Sequence, residues 1–255
     1  MPLGTKVVIN VCGVNLPMLH VQKLSAASKF TVTLSEVSST KLPDDLESEV
    51  DTLWRREQER RGKAIFNGRI LSALDSTSQG IQCRVVEYRH LIAQRIRPVL
   101  YEVLRVRPVA VSGLFECADG VVFGKRGGTL TQDSGLWELV PSGGLGPDEV
   151  VLGGEIDYRS QIMTELYEEI GIDADAVSSV SPFCLVDDLD SHVLDIGIAM
   201  HSALSSDAVL RMHGATVSHE YEALQIVPLA SVKEFAQDKS GQLVSVSAKL
   251  IEHFL

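Results

Sequence analysis

The chain has little that would suit it to a nucleic acid, a membrane interior or a disulfide framework. Only four of its 255 residues are cysteine. Cys12, Cys83, Cys117 and Cys184 stand far apart, without the short paired spacing that clamps zinc or marks a redox pair. They are expected to be reduced core thiols of a cytoplasmic protein. No apolar run approaches the roughly 18 residues that a membrane-spanning helix needs. The apolar start "VVINVCGVNLPML" holds two asparagines and lacks a clear small-residue cleavage site, so a signal peptide is not expected either. Basic tracts are missing as well. Lys and Arg number 23 against 34 acids, a net charge of -11, which leaves no field to draw the chain to a nucleic-acid backbone or an anionic membrane. An anionic ligand would need local help from a metal or a few placed arginines. The chain also carries no internal repeat and no low-complexity segment.

What is present is an ordinary globular composition, 45% hydrophobic and 22% charged, long enough for one large domain or two modest ones. The runs "KVVINVCGV" and "KFTVTLSEV" read as strands, followed by a helix starting near "PDDLESEVDTLWRREQERRG". Pro43 with Asp44, Asp45 and Glu47 suits its N-terminus, and Arg60, Arg61 and Gly62 suit its C-terminus. "AIFNGRILSAL" and "GIQCRVVEYRHLI" read as strands joined by the turn "DSTSQG", and a second helix through "HLIAQRIRPVL" is ended or kinked by Pro98. From Arg107 the texture changes to a hairpin around "ADG" and then a long glycine-bearing loop. A helix from about Asp157 to Ile170 follows, then strands "SSVSPFCLVDD" and "LDIGIAMHSAL", a short helix near "SDAVLRMHG", the strand "ALQIVPL" and two closing helical segments. This order predicts an α/β (α+β) layer fold, with a small mixed N-terminal region, residues 1–105, ahead of a larger domain, residues 106–255.

The segment "TELYEEIGI" concentrates the chemistry. Glu165, Glu168 and Glu169 are related by i, i+3 and i+4, so a helix stacks them on one face, while Ile162, Leu166, Ile170 and Met163 form the apolar stripe beneath. Tyr167 falls on the other side and reads as packing. Like charges so placed repel, and a hard divalent ion bound through carboxylates would relieve them. The plain alternative is a solvated helix face, since glutamate is a good helix former. Upstream, "GLWELVPSGG" brings a strand into Gly143 and Gly144, where backbone carbonyls could also face an ion.

These residues resemble the Nudix hydrolase superfamily, whose box reads G-x5-E-x7-R-E-U-x-E-E-x-G-U, with U aliphatic. Glu165, Leu166, Glu168, Glu169, Gly171 and Ile172 fall in register with its second half, and "VVFGKRG…GLWELVPSGG" resembles the strand and loop leading into it. Two departures stand out. The box arginine is Thr164, and the first half is stretched, so that Glu149 and Glu155 compete for the first box glutamate. A stretched box behind a segment such as "LWRREQERRGKAIFNGRIL" is similar to the atypical subgroup that hydrolyses UDP-glucose and UDP-galactose.

The resemblance implies a Nudix-type α/β/α sandwich and hydrolysis of a nucleoside diphosphate linked to another moiety, most simply a nucleotide sugar giving UMP and a sugar 1-phosphate. It implies magnesium, with manganese as the alternative, held by Glu165, Glu168, Glu169, the Gly143 carbonyl and Glu220 of "HEYEALQIVPL". Glu165 and Glu169 are the catalytic candidates, with Glu165 or Glu220 as the base. For substrate, Arg126 offers a fork for phosphate, and Phe66 and Asn67 offer an aromatic face and an amide; an exposed strand-end arginine and a plain turn at Gly68 are the competing readings. The partner is a small nucleoside diphosphate derivative, with no nucleic acid and no membrane, and a homodimer is allowed. Two other readings stay open: an impaired Nudix-fold binding module, motivated by Thr164, and a pyrophosphatase acting on ADP-ribose or dinucleotides. His192, His201, His213 and His219 lack zinc-type spacing and read as solvated or core side chains.

Overall fold

Two helices show how the sequence sets its own boundaries. In the computed structural model, α1 spans Asp44–Arg61, with Asp44, Asp45 and Glu47 in its first turn and Arg60 and Arg61 in its last, the charge order that the helix dipole favours. α4, Tyr158–Ile170, begins where the side chain of Asp157 accepts the amides of Arg159 and Ser160 at 3.1 and 3.0 Å. The i, i+4 series Tyr158, Ile162, Leu166 and Ile170 on α4 is fully buried, the stripe that pins it to the sheet.

The structure describes residues 18–24, 29–35, 42–62, 65–128, 130, 132–149, 154–218 and 220–255. The first expected strand, Cys12 and His219 lie outside them. In chain order the strands are β1 (Leu19–Lys23), β2 (Thr31–Leu34), β3 (Arg69–Thr77), β4 (Gly80–Glu87), β5 (Val109–Cys117), β6 (Gly120–Arg126), β7 (Trp137–Leu139), β8 (Ser142–Gly144), β9 (Val177–Asp188), β10 (Leu194–Ser202) and β11 (Tyr221–Val227). The remaining helices are α2 (Tyr88–Ile96), α3 (Tyr101–Leu104), α5 (Ser206–Ala215), α6 (Val232–Asp238) and α7 (Ser245–Phe254). Pro98 does end α2, and a short 3-10 turn carries the chain into α3.

Eight of the described strands form one sheet in the order β1-β9-β10-β5-β6-β11. β10 runs parallel to β5, whereas β5 and β6 pair only at their hairpin end and then splay. Into the opening β8 adds to β5 and β7 adds to β6. One face of the sheet packs on Ile162, Leu166 and Ile170 of α4 and Val209 of α5. The opposite face packs on Val232 of α6 and Leu250 and Ile251 of α7. This is the expected α/β/α sandwich.

The N-terminal region is more deeply joined to the rest than a boundary near Arg105 suggests. β2, β4 and β3 form a separate three-stranded sheet, but its Val32, Leu71, Ala73 and Ile81, with Phe30 just before β2, belong to the same core as α4. β1 is an edge strand of the large sheet, with Leu19 opposite Asp188. Thr33 bridges Glu155 and Ser72 bridges Pro108 across the same seam. Cys83, Cys117 and Cys184 are buried and free. Among the described residues, no helix is long and apolar enough to cross a membrane.

Candidate active site

The splay of β5 from β6 opens a cleft of about 680 Å³, lined among others by Arg126, Glu138, Gly143, Glu165, Asp195 and Glu220. A volume in this range suits a small organic ligand. α4 runs past one wall. Its three glutamates, expected as one shelf, are divided: Glu165 lines the cleft, Glu169 is buried behind it with 3% of its surface exposed, and Glu168 is exposed. Tyr167, read from the sequence as packing, is 56% exposed.

Gly143 touches this helix closely. A Cβ at that position would lie 1.9 Å from Glu165 Oε1, so only glycine lets the strand and the carboxylate share the space. The resemblance implies that the Gly143 carbonyl faces an ion; the structure adds a steric reason for the glycine. Gln161, one turn earlier on α4, donates from Nε2 to Glu165 Oε1 at 2.6 Å. Burial pushes the Glu165 carboxyl up to about 7; the Gln161 bond opposes this, and Glu168 and Glu220 add to it.

Glu169 accepts the Ser142 amide at 3.2 and 3.3 Å on its two oxygens, and it lies 3.1 Å from the Tyr221 hydroxyl. Burial holds its pKa well above the ordinary carboxylate value, and Glu138, Glu220 and Glu165 raise it further. The same Tyr221 hydroxyl lies 2.9 Å from Glu138 Oε1. One phenolic proton serves one of these carboxylates, so the second contact closes as a hydrogen bond when Glu169 carries its own proton. Glu138 is also raised by burial, an effect that Arg126 opposes.

Arg126, 13% exposed, pairs with Glu138 and with Glu220 at 3.2 Å, while its Nε donates to the Gln132 carbonyl at 3.3 Å. The guanidinium expected to wait for phosphate is thus already engaged with acids of the cleft. Phe66 and Asn67 are not among the cleft-lining residues. Phe66 is 81% exposed, and Asn67 is hydrogen-bonded to Glu87 and to the Arg89 amide at the start of α2, so the turn reading describes them better than the substrate reading. Glu155, a rival for the first box glutamate, lies 3.4 Å from Lys29 at the seam of the two sheets. The side chain of Glu149 lies outside the described residues. Thr164 is exposed, and its hydroxyl donates to the Ser160 carbonyl at 3.1 Å.

A magnesium ion would find an all-oxygen donor set here, the right chemistry for a hard cation. Glu165, Glu169 and Glu138 are held above their ordinary pKa by burial, and a divalent charge would relieve them. The described residues do not, however, gather three His, Cys, Asp or Glu side chains around one point. Each carboxylate has its own holder instead: Gln161 for Glu165, Ser142 and Tyr221 for Glu169, Arg126 for Glu220. The donors fit the ion in kind, as oxygen ligands beside one cleft.

Sequence reasoning missed Glu138, Tyr221, Gln161 and Asp195. Glu138 was hidden as one acid in the apolar strand "LWELV", and Tyr221 as an aromatic between two acids. Asp195 lies at the cleft with Ser112 Oγ donating to its Oδ1 at 2.8 Å; burial pushes it up to about 6, and the Ser112 bond opposes that. Of the histidines, His192 stacks on Tyr101 with ring centroids 3.5 Å apart, and His201 Nδ1 sits 3.0 Å from Glu116.

No family model matches the chain, and no curated protein matches it. Among solved structures it is similar to the MutT protein of Methanosarcina mazei Go1, at 20% identity over 58% of this chain and 91% of that one, with a TM-score of 0.38. It is similar to DR0079 of Deinococcus radiodurans at 10% identity, covering 73% and 99% of the two chains with a TM-score of 0.47. It is also similar to the Nudix domain of Shewanella oneidensis NrtR, solved with ADP ribose, at 14% identity over 58% and 86% of the chains with a TM-score of 0.42.

Proposed function

We propose that the protein is a magnesium-dependent Nudix hydrolase that cleaves a nucleoside diphosphate linked to a second moiety, with a nucleotide sugar as the substrate class. The observation that carries this reading is the pair Glu165 and Glu169, two glutamates of an in-register box raised by burial, with Glu165 lining a ligand-sized cleft and Glu169 buried behind it. Acids kept in such a place cost stability, and a cationic ligand is the simplest reason to keep them.

Bound to these carboxylates, a divalent cation supplies charge neutralisation for the diphosphate and a water of lowered pKa. Glu169 and Glu165 from α4, with Glu220 from the segment before β11, are the residues that would hold it, and manganese suits the same donors. Gln161 orients Glu165 through Oε1, which leaves Oε2 to accept the proton of the attacking water. Ser142 contacts both oxygens of Glu169 and Tyr221 contacts its Oε2. Polar groups at Ser112 and Asp195 offer the cleft a place to bond the hydroxyl groups of the second moiety.

The second reading, a nucleotide-binding module without turnover, is favoured by two observations: Thr164 supplies no charge, and no three metal-type side chains among those described surround one point. A panel of UDP-glucose, UDP-galactose, ADP-ribose, NADH, dinucleoside polyphosphates and nucleoside triphosphates, incubated with magnesium and assayed for released nucleotide, separates the two. Release of UMP from the UDP-sugars supports the first. Binding without release from any compound supports the module, and release from ADP-ribose or dinucleotides alone moves the substrate class.

A further inference from the structure

Thr164 raises a physical question. A cluster of carboxylates on one helix needs an opposite charge to hold its members in fixed directions, and the helix position where the Nudix box has arginine carries an exposed threonine bonded to its own helix backbone. We infer that Arg126, across the cleft on β6, is the positioning residue that does this work, fixing Glu220 directly and Glu169 through Glu138 and Tyr221. The inference rests on the reading of Glu169 and Glu220 as cation ligands.

The first support is connectivity. Arg126 Nη1 pairs with both Glu138 and Glu220, and its Nε is anchored on the Gln132 carbonyl, so the guanidinium has a fixed orientation. Glu138 then shares the Tyr221 hydroxyl with Glu169. A chain of close polar contacts therefore joins Arg126 on β6 to Glu169 on α4, by way of β7 and β11, with the single Tyr221 proton available to either carboxylate.

Rigidity is the second. Arg126 stands opposite Tyr221 in the β6–β11 ladder, and Gly124 stands opposite Glu138 in the β6–β7 ladder. Gly124 itself makes room for the phenol, since a Cβ there would lie 2.4 Å from the Tyr221 ring. Three neighbouring strands thus set the directions of the groups that hold Glu169. Packed strands give a more exact placement than a flexible side chain on an exposed helix face.

Burial is the third. Arg126 and Glu138 expose only 13% and 6% of their side chains. Buried ion pairs recover little net stability, because desolvation opposes their attraction, so a buried pair at the cleft is better explained by geometry than by folding energy. The fourth is the alternative that it replaces: an arginine reserved for substrate phosphate would not have Nη1 and Nε committed to protein acceptors.

The test is titration of the full-length protein with manganese, read by calorimetry, alongside steady-state kinetics on whichever compound the nucleotide panel shows to be turned over. Arg126→Gln and Tyr221→Phe are each expected to weaken manganese binding by roughly 10- to 100-fold, the usual effect of losing a group that orients a metal ligand. Arg126→Lys is expected to fall between Arg126→Gln and the unaltered protein, because it keeps the charge and loses the fork. In kinetics at saturating metal, kcat should fall while KM changes little. If Arg126→Gln fails to fold, Tyr221→Phe, which removes one oxygen and no charge, decides the matter. Unchanged manganese affinity in both Tyr221→Phe and Arg126→Lys overturns the inference, as does a rise in KM alone. Failure of the unaltered protein to bind manganese at all overturns the reading of the site, and this inference falls with it.

Discussion

Two glutamates, each on a helix and each followed by charges at i+3 and i+4, respond in opposite ways. In "EQERR" of α1, Glu57 accepts from Arg60 at 2.7 and 2.8 Å and from Arg61 at 2.6 Å, and these partners, Arg60 foremost, pull its carboxyl down to about 2. In "ELYEE" of α4, Glu165 has Glu168 and Glu169 at the same spacings, and burial pushes it up to about 7. The helix spacings are the same but the causes differ: the following arginines lower Glu57, whereas burial at the cleft raises Glu165 and Glu168 only adds to it. An acid paired with bases is finished by folding, whereas an acid buried at a cleft without a base is a candidate for a ligand.

The strongest way to break this contrast is Glu169→Gln. It keeps the shape and the bonds to Ser142 and Tyr221 but removes the charge. Turnover of the preferred nucleotide is expected to fall by at least roughly 100-fold, while the thermal midpoint of the metal-free protein rises at alkaline pH, where Glu169 would otherwise have to ionise in its buried place, and changes less at acid pH. An active, no more stable variant would mean that Glu169 is as structural as Glu57. Gly143→Ala comes next. Its Cβ must displace Glu165, so turnover should fall by roughly tenfold or more, with overpacking costing about 1–3 kcal/mol in urea unfolding. Full activity with unchanged stability would show that the strand yields and that the contact does not matter.

The local half of this contrast was legible in the sequence. α1 was bounded by Pro43, its acids and Arg60–Gly62, and α4 by Asp157 and the stripe Ile162, Leu166, Ile170, because helix signals act over three or four residues. What was hidden is long-range. Nothing local says that β1 seats Leu19 opposite Asp188, or that Phe30 and Val32 share a core with Ile162, so the boundary near Arg105 looked cleaner than it is. The same limit hid Glu138 and Tyr221, whose meaning comes from strands distant in sequence meeting beside α4. Arg126 was noticed for its charge, but its direction is a property of the sheet.

Asp195 extends the contrast away from α4. Its carboxyl is pushed from 3.8 to about 6 by burial, so folding binds its proton more tightly than the unfolded chain does. For a raised pKa the stabilising contribution is complete below the unfolded value near 3.8 and is lost as pH rises through about 6. Asp195→Asn should therefore be more stable than the unaltered protein at pH 8, by at most about 3 kcal/mol at 1.36 kcal/mol per pKa unit, and should show little of this gain near pH 4. Urea unfolding at the two pH values checks it, and an equal difference at both would mean that ionisation is not the cause.

The smallest effect belongs to Glu57 and has the opposite sign. Its carboxyl is lowered from 4.5 to about 2, so its contribution is present above 4.5 and disappears as pH falls through about 2. Glu57→Gln should lower the thermal midpoint slightly at pH 7, leave nucleotide turnover unchanged, and cost nothing near pH 2, where the unaltered carboxylate is itself being protonated. Glu57 is itself only 7% exposed, but the Arg60 side chain is 65% exposed and water screens its side of the pair, so the loss should be small. A large drop at pH 7 would show that Arg60 and Arg61 lose more than an ion pair when Glu57 goes. In that case the α1 cluster, like the one around Arg126, would be holding geometry as well as charge.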